Sequence, residues 1–400
     1  MKLKILFLPF IIPIIVGCSN ENLMNNLDEK SQNSDSYFIP IEEAVINAEK
    51  TFSLLYRSTR SVRTIETVNV LSSASYKETD TDDYGLYIVN YSNKKGFAIL
   101  SADKRRPKVY AISDEGSLYF DDTSDTGVNW YIKEILNQEN SNSTMYSQSY
   151  ANDPQFPDST SFNPLEWKTT DKVLCEPLIK GFTSQFYQGN PYNDYCLTAD
   201  GKQAVTGCTP LALGTYMSYY KWPESLEGYS FNWESMLSYP YHDSWARLFE
   251  TLGRKKYLNA TYGVKGTSVN PDNVIKTMSL CGYSNTKRSN FTTSSINSSL
   301  ASKKPVLCRG MSTTDNEGHF WIIDGGHIKT ETAYDDGSIY SQEIYTYYHC
   351  IWGQGGSGNG YFLYGGYTLG GTAAEPDNVY FNVATTYKNM EIFTGMTVNK

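Results

Sequence analysis

The chain has 400 residues, which is enough for two domains that each bury a hydrophobic core. Its formal net charge of −9 and pI of about 5.1 argue against nucleic acid as a partner, because binding by counterion release requires a basic surface. The 33 tyrosines and the mean hydropathy of −0.45 indicate a globular, β-rich protein.

The amino-terminal segment has the features of an export signal. Lys2 and Lys4 precede an apolar stretch at residues 5–16, which is short for a membrane span. The following Gly17-Cys18 resembles a bacterial lipobox, so we expect residues 1–18 to be a lipoprotein signal peptide rather than an ordinary signal cut elsewhere. Lipid on Cys18 would hold the protein at a membrane surface. The expected location is the outer membrane of a bacterium, facing the periplasm or the cell surface, with residues 19–36 as a flexible tether.

A small α+β unit is predicted next, over residues 37–137. Residues 41–57 have helical periodicity, and residues 127–136 predict a second helix. Alternating apolar runs at residues 86–89, 96–100 and 108–112 predict an antiparallel meander between them. The first helix places five apolar residues on one face: Ala44, Val45, Ala48, Phe52 and Leu55.

Residues 138–172 are rich in Asn, Ser, Gln, Asp and Pro and predict a linker that proteases cut easily. A larger unit is predicted over residues 173–400. A buried helix follows Cys208 and stops before Pro223, and residues 270–280 predict another helix. Apolar runs at residues 305–310, 318–326, 343–353 and 360–367 predict strands, so this unit is also α+β, with a helix first and a sheet after.

The cysteines give little sign of a disulfide framework or a zinc site. Apart from Cys18 and Cys208 there are five, an odd number that cannot all pair with each other, and no C-x-x-C pair occurs. We expect buried thiols or at most two bridges among these five: Cys175, Cys196, Cys281, Cys308 and Cys350.

Cys208 differs from the other cysteines because it stands at the start of the predicted buried helix, in the sequence AVTGCTPLAL. The positive end of the helix dipole lowers the pKa of a thiol there and favours the nucleophilic thiolate. The first N–H groups of the helix can also donate to an oxyanion. The alternative is a small core cysteine ahead of a helix, which is the more common case among exported proteins in general.

A nucleophilic cysteine needs a base, normally a histidine that is distant in sequence. Of the four histidines, His242 lies in a polar loop, His327 is predicted past the end of a strand, and His349 lies within an apolar run. His319 opens a predicted strand after a glycine turn, where an imidazole can project from the sheet edge toward a helix end. His319 is therefore the preferred base.

Five motifs in fixed order resemble the streptopain family of papain-like cysteine peptidases. They are YQGNPYN (187–193), AVTGC (204–208), KKPVLCRG (303–310), GHFWIIDG (318–325) and WGQGGSGNGYF (352–362). The resemblance implies a papain-like domain over residues 173–400, with the cysteine on a helix and the histidine on an antiparallel sheet. It also implies that residues 37–137 are an inhibitory propeptide, released by cleavage in the linker.

The resemblance further implies roles for four residues. Cys208 matches the nucleophile, His319 the general base and acid, Gln188 the oxyanion-hole amide, and Trp352 the tryptophan that shields the histidine. Gln185 is the reserve candidate for the oxyanion hole. Neither a metal nor an organic cofactor is implied, and the expected partners are protein or peptide substrates and the chain's own propeptide.

One departure from the family pattern affects the predicted site. Ile351 stands where the family has the asparagine that orients the imidazole, and an isoleucine side chain cannot accept a hydrogen bond. Asp324 is predicted to point to the opposite face of the strand from His319, so the orienting group is left unassigned. We therefore expect a lipid-anchored, secreted zymogen of a cysteine endopeptidase. The alternative is a catalytically weakened homologue that acts as a surface binding or inhibitor protein.

Overall fold

The computed structural model describes residues 38–57, 63–71, 85–104, 106–121, 126–141, 166–311, 318–370, 378–382 and 388–398. Cys18, the predicted signal peptide and tether, and residues 142–165 of the predicted linker lie outside these ranges. The chain divides into two compact units. The first comprises Met1–Tyr119 and Ile135–Leu165, and the second comprises Phe120–Glu134 and Glu166–Lys400.

The first unit packs a helix on an antiparallel sheet. Helix α1 (Ile41–Leu55) lies against the last two of four strands, which pair in chain order and confirm the predicted meander. The strands are β1 (Ile65–Leu71), β2 (Leu86–Tyr91), β3 (Phe97–Ser101) and β4 (Val109–Ser113). Four of the five predicted core residues of α1 are buried, whereas Val45 is half-buried. Acidic Glu42 and Glu43 lie in the first turn, where the helix dipole favours them.

The second unit contains most of the helices. Helix α2 (Gly127–Ser141) belongs to this unit up to Glu134. The helices that follow are α3 (Cys208–Tyr220), α4 (Trp233–Ser238), α5 (Asp243–Gly253), α6 (Asn273–Leu280) and α7 (Thr293–Ala301). Among the described residues, no helix is apolar over a length that would cross a membrane.

The strands of the second unit form one main antiparallel sheet and two short ribbons. The main sheet has the order β13-β12-β11-β10-β15-β9, with β14 paired to β13 and β5 paired to β11. Its strands are β5 (Glu166–Cys175), β9 (Lys287–Asn290), β10 (Val306–Met311), β11 (Gly318–Asp335), β12 (Ser338–Ile351), β13 (Gly360–Gly370), β14 (Asn378–Asn382) and β15 (Lys388–Thr394). The ribbons pair β6 (Ser225–Leu226) with β7 (Tyr229–Ser230), and β8 (Tyr283–Ser284) with β16 (Thr397–Val398).

Strand β11 is longer than the sequence indicates. Its first part pairs with β10, its second part pairs with β5, and β12 runs along its other edge. His327 therefore lies inside the strand, so the prediction that it lies past the end of the strand was wrong. Residues 166–172, which composition assigns to the linker, form most of β5, because their backbone groups pair with the second part of β11.

Helix α3 is the buried centre of the second unit. Every residue from Thr209 to Ser218 is buried, and the helix packs against α5 and β11. Gly214 permits this close packing, since a Cβ added there would lie 2.3 Å from Cε1 of Phe249 on α5. The helix ends at Tyr220, ahead of Pro223 as predicted.

Candidate active site

Cys208 is the first residue of the buried helix α3. Its neighbour Gly207 has φ of +92°, and a Cβ added there would lie 2.9 Å from Cβ of Thr267, so both the backbone and the packing require glycine. As the first helical residue, Cys208 has a backbone N–H with no carbonyl partner inside the helix. It is also partly exposed, whereas the other five described cysteines are buried, and all six are free thiols.

His319 is the second residue of β11 and pairs with Gly310 of β10. The side chain is only 3% exposed. Its Nε2 lies 3.0 Å from the backbone carbonyl oxygen of Trp352. Because a carbonyl oxygen can only accept, Nε2 carries the proton, and Nδ1 remains for the sulfur of Cys208. The orienting group that the sequence left unassigned is thus a peptide carbonyl.

Aromatic rings surround the imidazole. Trp352 lies 6.4 Å from His319 between ring centroids, and Trp321 lies at the same distance, almost parallel to the imidazole, with an interplanar angle of 12°. Trp130 of α2 meets the imidazole edge-on at 5.9 Å. The sequence predicted only Trp352 here. The spacing of Trp321, two residues beyond His319 on the same strand face, was a usable signal for the second ring.

The pKa of Cys208 lies below that of a free thiol. Desolvation of the sulfur by itself would raise the pKa, but a hydrogen bond with His319 and its positive charge outweigh that effect. A backbone hydrogen bond from Phe320 and the side chain of Thr209 lower the pKa further. The sulfur therefore favours the nucleophilic thiolate, and His319 is the principal cause.

The pKa values of the buried thiols are raised, whereas that of Cys208 is lowered. Burial raises the pKa of Cys196 to about 11 and that of Cys281 to about 12. At pH 7 a thiol of pKa about 11 is ionised in roughly one molecule in ten thousand.

We therefore expect a small alkylating agent such as iodoacetamide to modify Cys208 first at neutral pH. Since a thiolate exists above its pKa, the rate should persist to lower pH than for a free thiol. The His319→Ala variant should move the midpoint of the rate to higher pH. Peptide mapping of the labelled protein measures both effects, and modification of Cys196 at a comparable rate would contradict the assignment.

Gln188 is held next to the start of α3 by its backbone. Its carbonyl oxygen accepts from the N–H of Thr206 at 2.9 Å, two residues before Cys208, and the preceding Tyr187 forms a β-bridge with Gln354. Gln188 is half-buried. Gln185, the reserve candidate, is exposed at the end of a 3₁₀ turn and lies against Gly356. Because the Gln188 backbone lies beside the loop that leads to Cys208, Gln188 is the better candidate for the oxyanion-hole amide.

Ile351 has a structural role. It is 3% exposed and belongs to the core cluster that also contains Leu213 and Phe320. Its side chain cannot accept a hydrogen bond from His319, and the backbone carbonyl of the next residue, Trp352, accepts that bond instead.

The remaining histidines have other partners. His349 donates from Nδ1 to Asp324 at 2.6 Å, and Asp324 also accepts from the N–H of Ile179, so Asp324 does not serve His319. His327 pairs through Nδ1 with Asp171 at 2.9 Å. His242 caps α5, where its Nδ1 accepts from the N–H of residue 244 at 3.2 Å. Of the four, only His319 contacts Cys208.

Comparisons with known proteins show two family matches and several relatives. Residues 186–362 match the Peptidase C10 family, and residues 30–139 match the Spi protease inhibitor family. A thiol protease/hemagglutinin of Porphyromonas gingivalis is 24% identical over 220 residues, which cover 54% of this chain and 23% of that protein's length. Streptopain of Streptococcus pyogenes is 23% identical over 328 residues, covering 69% of this chain and 73% of streptopain. A prointerpain A fragment of Prevotella intermedia superposes with a TM-score of 0.51 at 17% identity, over 85% of this chain and 100% of the fragment, which shows a shared fold.

Proposed function

We propose that this chain, which belongs to the Peptidase C10 family of cysteine peptidases and carries an inhibitor domain ahead of the peptidase domain, is the zymogen of an active endopeptidase. The observation that carries the proposal is the contact of Cys208 with His319, which lowers the pKa of the thiol at the start of a buried helix. A cysteine used only for packing gains nothing from such a partner.

In the proposed mechanism the Cys208 thiolate attacks the scissile carbonyl carbon. The negative charge that develops on the carbonyl oxygen is stabilised by the side-chain amide of Gln188 and the backbone N–H of Cys208. The proton that Nδ1 of His319 has taken from the Cys208 thiol passes to the leaving amine as the C–N bond breaks, which leaves an acyl-enzyme on the sulfur.

Hydrolysis of the acyl-enzyme completes the cycle. His319 takes a proton from water, the hydroxide adds to the thioester carbonyl, and the Cys208 thiolate leaves as the free acid forms. Throughout the cycle the carbonyl of Trp352 accepts from Nε2 and keeps Nδ1 directed at the sulfur. The rings of Trp352 and Trp321 exclude water from the imidazole.

The position of residues 126–134 supports inhibition of the precursor. This segment belongs to the second unit, and its Trp130 packs edge-on against His319. Gly127 lies so close that an added Cβ would be 2.4 Å from Cδ2 of His319. Tyr131 donates to the carbonyl oxygen of Leu363 at 2.9 Å and fixes the segment on β13. While the segment stays there, a substrate cannot reach this face of the histidine, so activation requires its removal.

Export and anchoring complete the proposal. The Lys2, Lys4 and Gly17-Cys18 pattern supports acylation at Cys18 and an outer membrane location, facing the periplasm or the cell surface. Substrates would then be proteins or peptides outside the cytoplasm.

The test is intact-mass analysis of the processed protein before and after an epoxide inhibitor selective for papain-like thiolates, together with hydrolysis of a fluorogenic peptide. We expect one adduct, absent in Cys208→Ala and formed more slowly in His319→Ala. Cys175→Ala is the matched control, because that thiol is buried and burial raises its pKa. A folded, processed protein that forms no adduct would favour the alternative, a binding or inhibitor protein. The presence of Ile351 in place of the family's asparagine is the observation behind that alternative.

A further inference from the structure

The carbonyl of Trp352 orients His319 only if its own peptide is fixed, and Asn359 provides that restraint. The Oδ1 of Asn359 accepts the N–H of Trp352 at 3.1 Å. Trp352 thus accepts a hydrogen bond from His319 through its carbonyl and donates one to Asn359 through its N–H. Asn359 lies seven residues farther along the chain.

The other half of the Asn359 amide reaches the segment that leads to Gln188. Its Nδ2 donates to the carbonyl oxygen of Ser184 at 2.7 Å. Two more contacts join the same parts of the chain, since Gly355 donates to the carbonyl of Phe186 at 3.0 Å and Tyr187 forms a β-bridge with Gln354. Asn359 is the only one of these links made by a side chain within the described residues.

The chain between Trp352 and Asn359 has few side chains of its own to restrain it. It contains four glycines with positive φ, namely Gly353, Gly355, Gly356 and Gly358. Glycine loses more conformational freedom on folding than any other residue. Backbone hydrogen bonds from Ser357 to Gln354 and from Asn359 to Gly356 shape the turn, and the Asn359 side chain restrains the peptide of Trp352 itself.

We infer that Asn359 is a positioning residue of the active site, which connects the base and the oxyanion donor. Its Oδ1 fixes the peptide that orients His319, and its Nδ2 fixes the segment that presents Gln188. The inference rests on the proposed function for its effect on hydrolysis, but its effect on the Cys208 thiol is measurable without any substrate.

The experiment compares Asn359→Leu, Asn359→Asp and a control variant in the full chain. Leucine removes both hydrogen bonds, whereas aspartate retains an oxygen that accepts from Trp352 N–H and loses the donor to Ser184. Asn273→Leu is the control, because Asn273 also donates from Nδ2 to a backbone carbonyl, that of Leu258 at 2.9 Å, away from the site. Four quantities are measured: the pH profile of Cys208 alkylation, kcat for a peptide after processing, KM for the same peptide, and the midpoint of thermal unfolding.

For Asn359→Leu we expect the alkylation midpoint to shift toward the pH of a free thiol, and kcat/KM to fall about 10- to 100-fold, mostly in kcat. Asn359→Asp should keep most of the parent's alkylation profile. Asn273→Leu should lower the unfolding midpoint without moving the profile. If Asn359→Leu lowers stability but leaves the profile unchanged, as Asn273→Leu does, the residue is merely structural and the inference is overturned.

The two proposals fail differently. A parent protein that alkylates at low pH but hydrolyses no peptide refutes the proposed function, and Asn359 is then judged on the alkylation profile alone. A parent with the profile of an ordinary thiol refutes both. Should Asn359→Leu not fold, the shift between parent and Asn359→Asp decides: a complete loss of the low-pH reactivity in Asn359→Asp would contradict the part assigned to Oδ1.

Discussion

Replacement of Cys208 by alanine is expected to abolish peptide hydrolysis and to leave the precursor uncleaved. In the proposed mechanism the sulfur forms the covalent intermediate, so the substitution removes the nucleophile while leaving His319 in place. Loss of a covalent nucleophile lowers kcat by about 10⁴- to 10⁶-fold. Gel analysis of the purified precursor over time, with a fluorogenic peptide assay beside it, measures both effects.

Two controls separate chemistry from folding in this experiment. Cys175→Ala removes a buried thiol and should process at the parent's rate. The Cys208→Ala precursor should be cut when a small amount of active parent is added, which shows that it remains a substrate. Processing of isolated Cys208→Ala at the parent's rate would refute self-activation.

Replacement of Gly127 by valine should give a precursor that is active before it is cleaved. The added Cβ would lie 2.4 Å from Cδ2 of His319 and 2.6 Å from Cε3 of Trp352, so the segment must move away from the imidazole. Overpacking of this kind costs about 1 to 3 kcal/mol. That cost corresponds to an increase of about 5- to 150-fold in the uninhibited fraction, measured as peptide hydrolysis by uncleaved protein.

The matched control for this substitution is Gly365→Val. Gly365 lies in β13, and a Cβ added there meets no atom within 4 Å, so the precursor should remain as inactive as the parent. The background for both variants is the chain with the linker intact. A Gly127→Val precursor no more active than Gly365→Val would show that contact with His319 is not what limits the zymogen.

The fold was predictable where hydrophobic periodicity was strong. Residues 41–57 and the runs that became β2, β3 and β4 have clear patterns, and the structure confirms them. Strand β1 was missed because it is an edge strand with several exposed residues, including Val70 at 51% exposure. The beginning of β5 was missed for the same reason, since its polar residues are fixed by pairing with β11 and not by burial.

The site was predictable to the extent that side-chain chemistry defines it. Cys208 and His319 stood out by residue type and by position at a helix start and a strand start, and the structure brings them together. The acceptor for His319 could not be found in this way, because every residue has a carbonyl and the letter code does not say which one turns inward. The role of Asn359 is likewise not readable from the sequence, because it depends on a turn that returns the chain to Trp352.

The use of a peptide oxygen as the acceptor for His319 has a genetic consequence. A side-chain acceptor can be deleted by a single codon change, whereas a main-chain carbonyl is encoded by every codon and survives any substitution at position 352 that keeps the backbone path. The residue at position 351 then needs no hydrogen-bonding group for catalysis, and an aliphatic side chain there is constrained only by packing in the core. Drift at this position is then expected to follow side-chain volume rather than hydrogen-bonding capacity, so that valine or leucine would be tolerated at Ile351 more readily than asparagine.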